Sequence, residues 1–195
     1  RDLHLSLRRQ RQMCIRDSVE MVNALAKLFR ISISKGHELI PIEKEVEHAR
    51  SYLKIQNFRY KNQFSYEFQV EEDCLQYYCN KITLQPIIEN AIYHGLDRMV
   101  DEGRILIRIY SEGEDVVFRV EDNGVGMSEE QCRSILHKEP GDNSGIGIKN
   151  VNDRIKIYFG KEYGLSIESE LDEGTTVIIR MPKVEENAAA GWEKV

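Results

Sequence analysis

The sequence predicts an α/β (α+β) two-layer sandwich, with a mixed β-sheet covered by helices on one face and a helical pair in front of it. Two observations predict this fold class. Apolar residues in the N-terminal third recur with helical spacing, and the strands that follow come in hairpins separated by helices. Such an order disfavours a doubly wound parallel sheet. A chain of 195 residues suffices for one well-cored domain plus an accessory element.

The composition is that of a water-exposed globular protein, with 41% hydrophobic and 31% charged residues. No stretch approaches the roughly 20 apolar residues that span a bilayer, and no signal peptide is recognisable. Four cysteines show neither a CxxC motif nor histidines at zinc spacing. We therefore expect a domain in a reducing cytoplasm, to which a membrane segment could be joined upstream.

The first eighteen residues are interpreted as a non-native remnant of sequence assembly. The stretch from Arg8 to Ser18 resembles a one-frame translation of the transposase adapter used for sequencing libraries, and Arg1–His4 matches its flanking primer. A genuine basic helix is the alternative. Residues 1–18 contribute a net charge of +3, so the remainder carries −9. An acidic domain without a basic stripe argues against a nucleic-acid partner.

Residues 19–62 are predicted to form two amphipathic helices, part of a helical dimerisation segment. Apolar residues from Met21 to Leu28 recur at helical spacing, and Gly36 supplies a stop. Pro41 is expected to open the second helix. Its predicted core face is Ile42, Val46, Ala49 and Leu53, and its predicted water face is Glu43, Glu45, Glu47 and Lys54. Because two such helices cannot bury both stripes alone, we expect a partner, either the following domain or a second subunit.

Residues 63–183 are predicted to form the main domain, followed by a frayed tail over 184–195. The alternation and turn signals predict strands over 64–70, 104–110, 116–121, 165–169 and 175–181. Helices are predicted over about 80–95, 128–136 and 147–159, and a mobile loop over 137–145.

Three glycine-rich turns are candidate ligand sites: Asp122-Asn-Gly124-Val-Gly126, Gly145-Ile146-Gly147 and Glu173-Gly174-Thr175-Thr176. None fits a P-loop or a dinucleotide-binding fingerprint. Glycines directly after Asp122 allow a planar ligand to lie close to the backbone. The Gly145–Gly147 turn leads directly into a helix, whose free N–H groups suit phosphate oxygens. Each turn taken alone also fits a purely structural role.

The predicted helix that contains Leu84-Gln-Pro-Ile-Ile-Glu-Asn-Ala-Ile-Tyr-His-Gly95 carries two polar residues four apart, Asn90 and His94. Asparagine is unfavourable inside a helix, because its amide competes with the backbone. Its presence in an apolar helix indicates an oxygen-rich partner such as a metal or a phosphate. The alternative is that both residues only satisfy polar neighbours.

The order of these motifs is specific. The series ENAxxHG, DNGxGM, SGIGIKN and EGTT resembles the N, G1, G2 and G3 boxes of the Bergerat-type ATPases, over roughly residues 80–182. That superfamily includes histidine kinases, Hsp90, type II topoisomerases and mismatch-repair ATPases. The resemblance implies that the domain binds ATP with Mg²⁺.

The resemblance also implies roles for individual residues. Asn90 would bind Mg²⁺, and Glu89 would position water, the metal or the attacking group. Asp122 would accept a hydrogen bond from the adenine amino group, supported through water by Thr175. Further nucleotide contacts would come from His94, Gly124, Gly126, Gly145, Ile146 and Gly147.

The upstream helices narrow the resemblance to the LytS/YesM-type sensor histidine kinases. It rests on the segments 19–36 and 43–60, the second containing Glu-His-Ala-Arg-Ser-Tyr-Leu-Lys-Ile-Gln-Asn-Phe-Arg-Tyr. It implies a homodimer that transfers the γ-phosphoryl of ATP to a histidine and then to a response regulator. An anti-sigma-factor serine kinase of the same superfamily, or a non-catalytic nucleotide-sensing dimer module, is the alternative.

The phosphoacceptor histidine of these kinases lies in a His-Phe-Leu-Tyr-Asn context, which the sequence does not contain. The other histidines outside the predicted N box are poor matches: His4, His37, His48 and His137. We therefore expect the acceptor upstream of Val19. The chain is expected to bind Mg·ATP without phosphorylating itself.

Overall fold

The computed structural model describes the backbone of residues 2–33, 38–96, 102–137 and 146–192. Gly36, the predicted stop of the first helix, and most of the predicted loop over 137–145 lie outside these residues. Among the described residues, no helix has both the length and the apolar character required to cross a membrane.

Most helices lie close to their predicted positions. Their bounds are α1 Asp2–Ile33, α2 Ile42–Arg59, α3 Leu84–Asn90, α4 Glu129–His137, α5 Ile146–Phe159 and α6 Glu186–Trp192. The helix α1 begins upstream of residue 19 and continues through the expected assembly remnant. Ser128 and Gln131 form a reciprocal N-terminal cap on α4, with N···O distances of 2.9 and 3.3 Å.

The sheet is mixed, as predicted. Its strands are β2 Phe64–Val70, β4 Gly103–Glu112, β5 Asp115–Asp122, β6 Gly164–Glu170 and β7 Gly174–Pro182. The spatial order is β2-β4-β5-β7-β6, in which β2 and β4 are parallel and the other neighbours are antiparallel. Two short strands, β1 Leu39–Pro41 and β3 Tyr78–Asn80, form a separate antiparallel pair that the sequence analysis did not predict.

The core lies between one face of the sheet and helices α2, α3 and α5. Alternate residues of β4 point into it, and Ile105, Ile107 and Ile109 are fully buried. The opposite face carries charged residues, such as Arg108 and Arg119, which both contact Glu121. This one-sided burial is the two-layer arrangement that the hairpins predicted.

One assignment in α2 was wrong. The predicted core face is buried, but Glu45, which we placed on the water face, is also completely buried. Its carboxylate accepts three backbone N–H groups at the start of α3, from Ile82, Thr83 and Leu84. These hydrogen bonds offset only part of the loss of water around the carboxylate, since burial still raises the pKa of Glu45. Pro41 precedes the helix as its N-cap residue and ends β1.

Two further predictions need correction. The helix predicted over 80–95 begins only at Leu84, and beyond Asn90 it widens into a π-helical turn, Ala91–Leu96. The tail predicted as frayed contains α6, because Ala189 packs into the core with 4% of its surface exposed. A run of small residues gives weak periodicity, so this docked helix is hard to recognise from sequence.

Candidate functional site

Asp122 and Thr175 lie side by side at the ends of β5 and β7, where they are register partners. The Asp122 carboxylate accepts the N–H of Gly124 at 2.9 Å. Burial raises the pKa of Asp122 to about 6, although hydrogen bonds from the backbone of Gly124 and Thr175 act against the shift. Asp122, which is predicted to bind the adenine amino group, is therefore held in place by the two turns that follow β5 and precede β7.

Two glycines bring the predicted N box against this carboxylate. A Cβ added to Gly95 would lie 2.7 Å from Oδ1 of Asp122, and one added to Gly124 would meet the backbone of Gly95. Val125 donates its N–H to the carbonyl of Gly95 at 3.3 Å. Because neither glycine has a side chain, the two backbones approach closely beside the carboxylate.

The G1 turn also contacts the last hairpin. Gly126 adopts φ +64°, and a Cβ there would overlap the carbonyl of Glu170. Ser169 accepts the N–H of Met127 at 2.8 Å and lies 2.9 Å from the Thr175 hydroxyl. The sequence analysis missed Ser169, because a serine inside a strand gives no signal of its own.

Glu89 and Asn90 are half-buried at the end of α3. Gln85, one turn earlier, donates from Nε2 to Oε1 of Glu89 at 2.8 Å. The π-helical turn begins directly after Asn90 and leads to Gly95. Single π-helical turns are frequent at functional sites, because they redirect side chains within a helix.

The predicted phosphate turn approaches the same helix. A Cβ added to Gly147, in the first turn of α5, would lie 3.2 Å from Cβ of Pro86 in α3. Ile146 begins α5. Gly145 and the side chains of Ile146 and His94 lie outside the described residues.

Helix α3 and its π-helical extension thus connect the three predicted parts of the site. Pro86 contacts the start of α5, Asn90 lies at the junction, and Gly95 touches Asp122. Gly124 was predicted to lie near a ligand because a glycine lets the backbone approach closely, and the same argument applies to Gly95. Gly95 could therefore have been predicted as a site residue from the sequence. The arrangement brings a carboxylate, an amide and a helix start together around one helix.

The comparison with known families agrees with this geometry. The family described as "Histidine kinase-, DNA gyrase B-, and HSP90-like ATPase" matches residues 79–185, from β3 to the end of the sheet. The chain belongs to this family. A second family, described as "Histidine kinase", matches residues 6–64. The chain therefore combines the ATPase domain of histidine kinases with a helical segment found in the same proteins.

Curated relatives are sensor proteins of the same kind. The chain is 34% identical over 163 residues to the sensor histidine kinase YesM of Bacillus subtilis, and 30% identical over 163 residues to BtsS of Escherichia coli. Each match covers 84% of this chain but only 27% of the relative. The sensor protein LytS of Bacillus cereus is 30% identical over 82% of the chain. The chain thus spans about a quarter of these relatives.

Solved structures share the fold. A histidine kinase domain from the blue-light activated kinase of Erythrobacter litoralis EL346 superposes with a TM-score of 0.57 and 17% identity, covering 86% of this chain and 75% of that one. The catalytic domain of the histidine kinase ThkA gives a TM-score of 0.57 and 16% identity, with coverages of 76% and 97%. The two-layer mixed-sheet fold is confirmed, and the serine-kinase and non-catalytic alternatives are not favoured.

Proposed function

We propose that this chain is the ATP-binding catalytic part of a sensor histidine kinase, with Asp122, Asn90 and the start of α5 as its nucleotide site. The observation that supports this most directly is the contact between Asp122 and Gly95, which joins the purine-reading acid to the helix of Glu89 and Asn90. A half-buried carboxylate suits the amino group of adenine as a hydrogen-bond acceptor. Thr175, adjacent to it, supplies a backbone donor and a hydroxyl.

The residues present also fit a Mg²⁺·triphosphate group. Asn90 has an amide oxygen of the kind that Mg²⁺ accepts, at a half-buried position beside the Glu89 carboxylate. The α5 N-terminus would supply backbone N–H groups and the positive end of its dipole, with Gly145, Ile146 and Gly147 nearest the phosphates and His94 approaching them. When bound, Mg²⁺ would neutralise phosphate charge. Glu89 would orient the attacking group.

The whole protein would transfer the γ-phosphoryl group to a histidine and then to a response regulator. Helix α1 carries a row of exposed apolar residues at helical spacing: Val22, Leu25, Phe29 and Ile33. Such a row favours a homodimer through the helical segment. We propose a cytoplasmic location, attachment to a membrane only through upstream segments, and no nucleic-acid partner.

Two expectations about the N-terminal part remain predictions. Residues 1–18 are proposed to be non-native, although α1 includes them. The chain is also predicted not to phosphorylate itself; His48, for instance, is completely buried between α1 and α2. Intact-mass measurement after incubation with Mg·ATP tests the second point. A gain of one phosphoryl group on any native histidine contradicts it.

Calorimetric titration with Mg·ATP tests the nucleotide site. Asp122→Asn is expected to weaken binding by about tenfold or more, because it removes a charged hydrogen-bond acceptor. Asn90→Ala is expected to remove the part of the affinity that depends on Mg²⁺. Asp115→Asn, at the opposite end of β5, is the matched control and should bind normally. Unchanged binding in both site variants would show that the nucleotide site is wrongly assigned.

A further inference from the structure

Helix α2 is attached to the first residues of α3 by the buried carboxylate of Glu45. It accepts the backbone N–H groups of Ile82, Thr83 and Leu84 at N···O distances of 2.9, 2.7 and 2.7 Å. Amide groups at a helix start have no partner within the helix, so Glu45 satisfies groups that would otherwise be buried without a hydrogen bond. This attachment fixes the start of α3 relative to α2.

Helix α5 reaches the same point from the other side. Ile82 adopts φ +57°, a left-handed conformation that a β-branched residue rarely takes. Its N–H donates to Glu45, and its carbonyl accepts a hydrogen bond from Nη2 of Arg154 in α5 at 3.0 Å. A residue in such a conformation persists only where its surroundings hold it, and here hydrogen bonds hold it on both sides. Ile82 is therefore a fixed point between α2 and α5.

The side of α5 that carries Arg154 also carries the predicted phosphate turn. Gly147 lies seven residues before Arg154, which is about two helical turns, so both residues are on one side of α5 and about 10 Å apart along it. A Cβ added to Gly147 would lie 3.2 Å from Cβ of Pro86, and Arg154 binds Ile82, four residues before Pro86. The later contact on α5 is thus made with the earlier residue, so α5 passes α3 in the antiparallel direction.

Apolar packing does not by itself fix how far α5 can slide along α3, because attraction between apolar surfaces is not directional. Apolar residues of α5 pack into the core, among them Ile148, Val151, Ile155 and Phe159. Asn152 accepts the N–H of Leu165 at 2.9 Å, which connects α5 to strand β6 and not to α3. The hydrogen bond from Arg154 is directional, and it ends on a residue that Glu45 holds in turn. We therefore expect it to set the axial position of α5 relative to α3.

We propose that Arg154 is a positioning residue for the phosphate end of the nucleotide site, with Glu45 as its support through Ile82. This inference rests on the proposed function, which places the phosphates between the start of α5 and the residues Glu89 and Asn90 of α3. Groups from two helices must converge on the same phosphates, so an error in the position of α5 weakens their contacts. Arg154 acts through the position of the helix start and contacts no ligand itself.

The purine end of the proposed site does not depend on Arg154 in this way. Asp122 is contacted by Gly95 and accepts the N–H of Gly124 at 2.9 Å, and none of these residues belongs to α5. A displacement of α5 should therefore weaken contacts with the phosphates and leave contacts with the purine intact. This difference separates a positioning role from a general contribution to stability, which would affect both ends alike.

Calorimetric titration with Mg·ATP and with adenosine measures the two ends separately. Arg154→Met is expected to weaken Mg·ATP binding about tenfold, because misplaced groups lose most of their contribution at the phosphates. Adenosine binding should stay within about twofold of the wild type, since its contacts are retained. Lys156→Met removes a cation from the exposed side of the same helix and is the matched control, which should change neither affinity. Equal weakening of both ligands, or normal binding of both, overturns the proposal.

Hydrogen exchange on the wild-type chain gives a second test, which also serves if Arg154→Met does not fold. Saturating Mg·ATP is expected to slow exchange of the Ile82, Thr83 and Leu84 amides more than saturating adenosine does. Bound phosphates would restrict the start of α5, and Arg154 would pass this restriction to Ile82. Peptides from β2, at the opposite edge of the sheet from β6, are the reference. Equal rates with the two ligands contradict the proposal, whereas a wild-type chain that binds neither ligand refutes the proposed function and the positioning role with it.

Discussion

A Cβ added to Gly95 would lie 2.7 Å from Oδ1 of Asp122. The two residues come from elements that the sequence separates by a strand and a turn, yet the fold places them in direct contact. The proposed nucleotide site includes this contact. Two of the predictions below follow from it, and two follow from the buried side chains of Glu45 and His48 elsewhere in the fold.

Asp122→Asn is expected to stabilise the protein at neutral pH while it weakens nucleotide binding. The pKa of Asp122 rises from 3.8 to about 6 on folding, so ionisation of the native carboxyl costs free energy above pH 6. The folded state binds the extra proton between these two values, and stability therefore falls as pH rises through this window. The gain in unfolding free energy should be about 2 kcal/mol at pH 7 and disappear near pH 4. Urea denaturation at the two pH values measures it; a gain independent of pH contradicts the explanation.

Gly95→Ala is expected to weaken Mg·ATP binding at least about tenfold and to destabilise the fold by about 1–3 kcal/mol. The new methyl group would displace the Asp122 carboxylate, whose Oδ1 lies 2.7 Å from the Cβ position. Gly113→Ala is the control, since nothing lies within 4 Å of its Cβ position, although φ +60° adds a small strain. Calorimetry and thermal unfolding measure the two effects. Normal nucleotide affinity in Gly95→Ala would show that this contact is not part of the site.

Glu45→Gln is expected to destabilise the protein by about 2–3 kcal/mol. Glutamine replaces one carboxylate oxygen with an NH2 group, which donates and cannot accept. At least one of the three backbone N–H groups that the carboxylate accepts would then face another donor and lose its hydrogen bond. Glu43→Gln, two residues earlier on the exposed side of α2, should change stability by less than about 0.5 kcal/mol. Equal unfolding midpoints for the two variants would mean that the attachment contributes little.

Acidification is expected to loosen the packing of α1 against α2 through His48. The ring is completely buried, Nε2 lies 3.2 Å from the Ser32 hydroxyl, and Nδ1 has no partner among the described residues. Burial lowers the pKa of His48 below 6.5 in the folded state. The unfolded chain therefore binds the proton first, and the unfolding free energy falls as pH drops below about 6.5.

His48→Leu should remove this contribution. The difference in unfolding free energy between wild type and variant is expected to change by about 1 kcal/mol between pH 7 and pH 5. Far-UV circular dichroism in urea at both pH values gives the comparison. Parallel pH profiles for the two proteins would exclude His48 as the cause.

The sequence predicted the sheet and most helices, because alternation and helical spacing are local signals. The order of the glycine turns also predicted the region of the proposed nucleotide site. Glu45 shows where such reasoning fails. Charged residues surround it in the chain, with Glu43 and Lys44 before it and Glu47 after it, and only the three amide groups some forty residues later explain its burial. The π-helical turn after Asn90 was also not predicted, because helical spacing does not distinguish it from an α-helix; it leads directly to the contact of Gly95 with Asp122.

The glycine contact also limits how the pocket can be redesigned. Selectivity for bulky ATP analogues is commonly engineered by truncating a large side chain beside the base, which creates a hole for the added substituent. Around Asp122 the adjoining positions, Gly95 and Gly124, are already glycine. No side-chain atoms remain to delete at these two positions. Room for an enlarged purine amino group at the proposed site would therefore have to come from other neighbours of the carboxylate, such as Thr175.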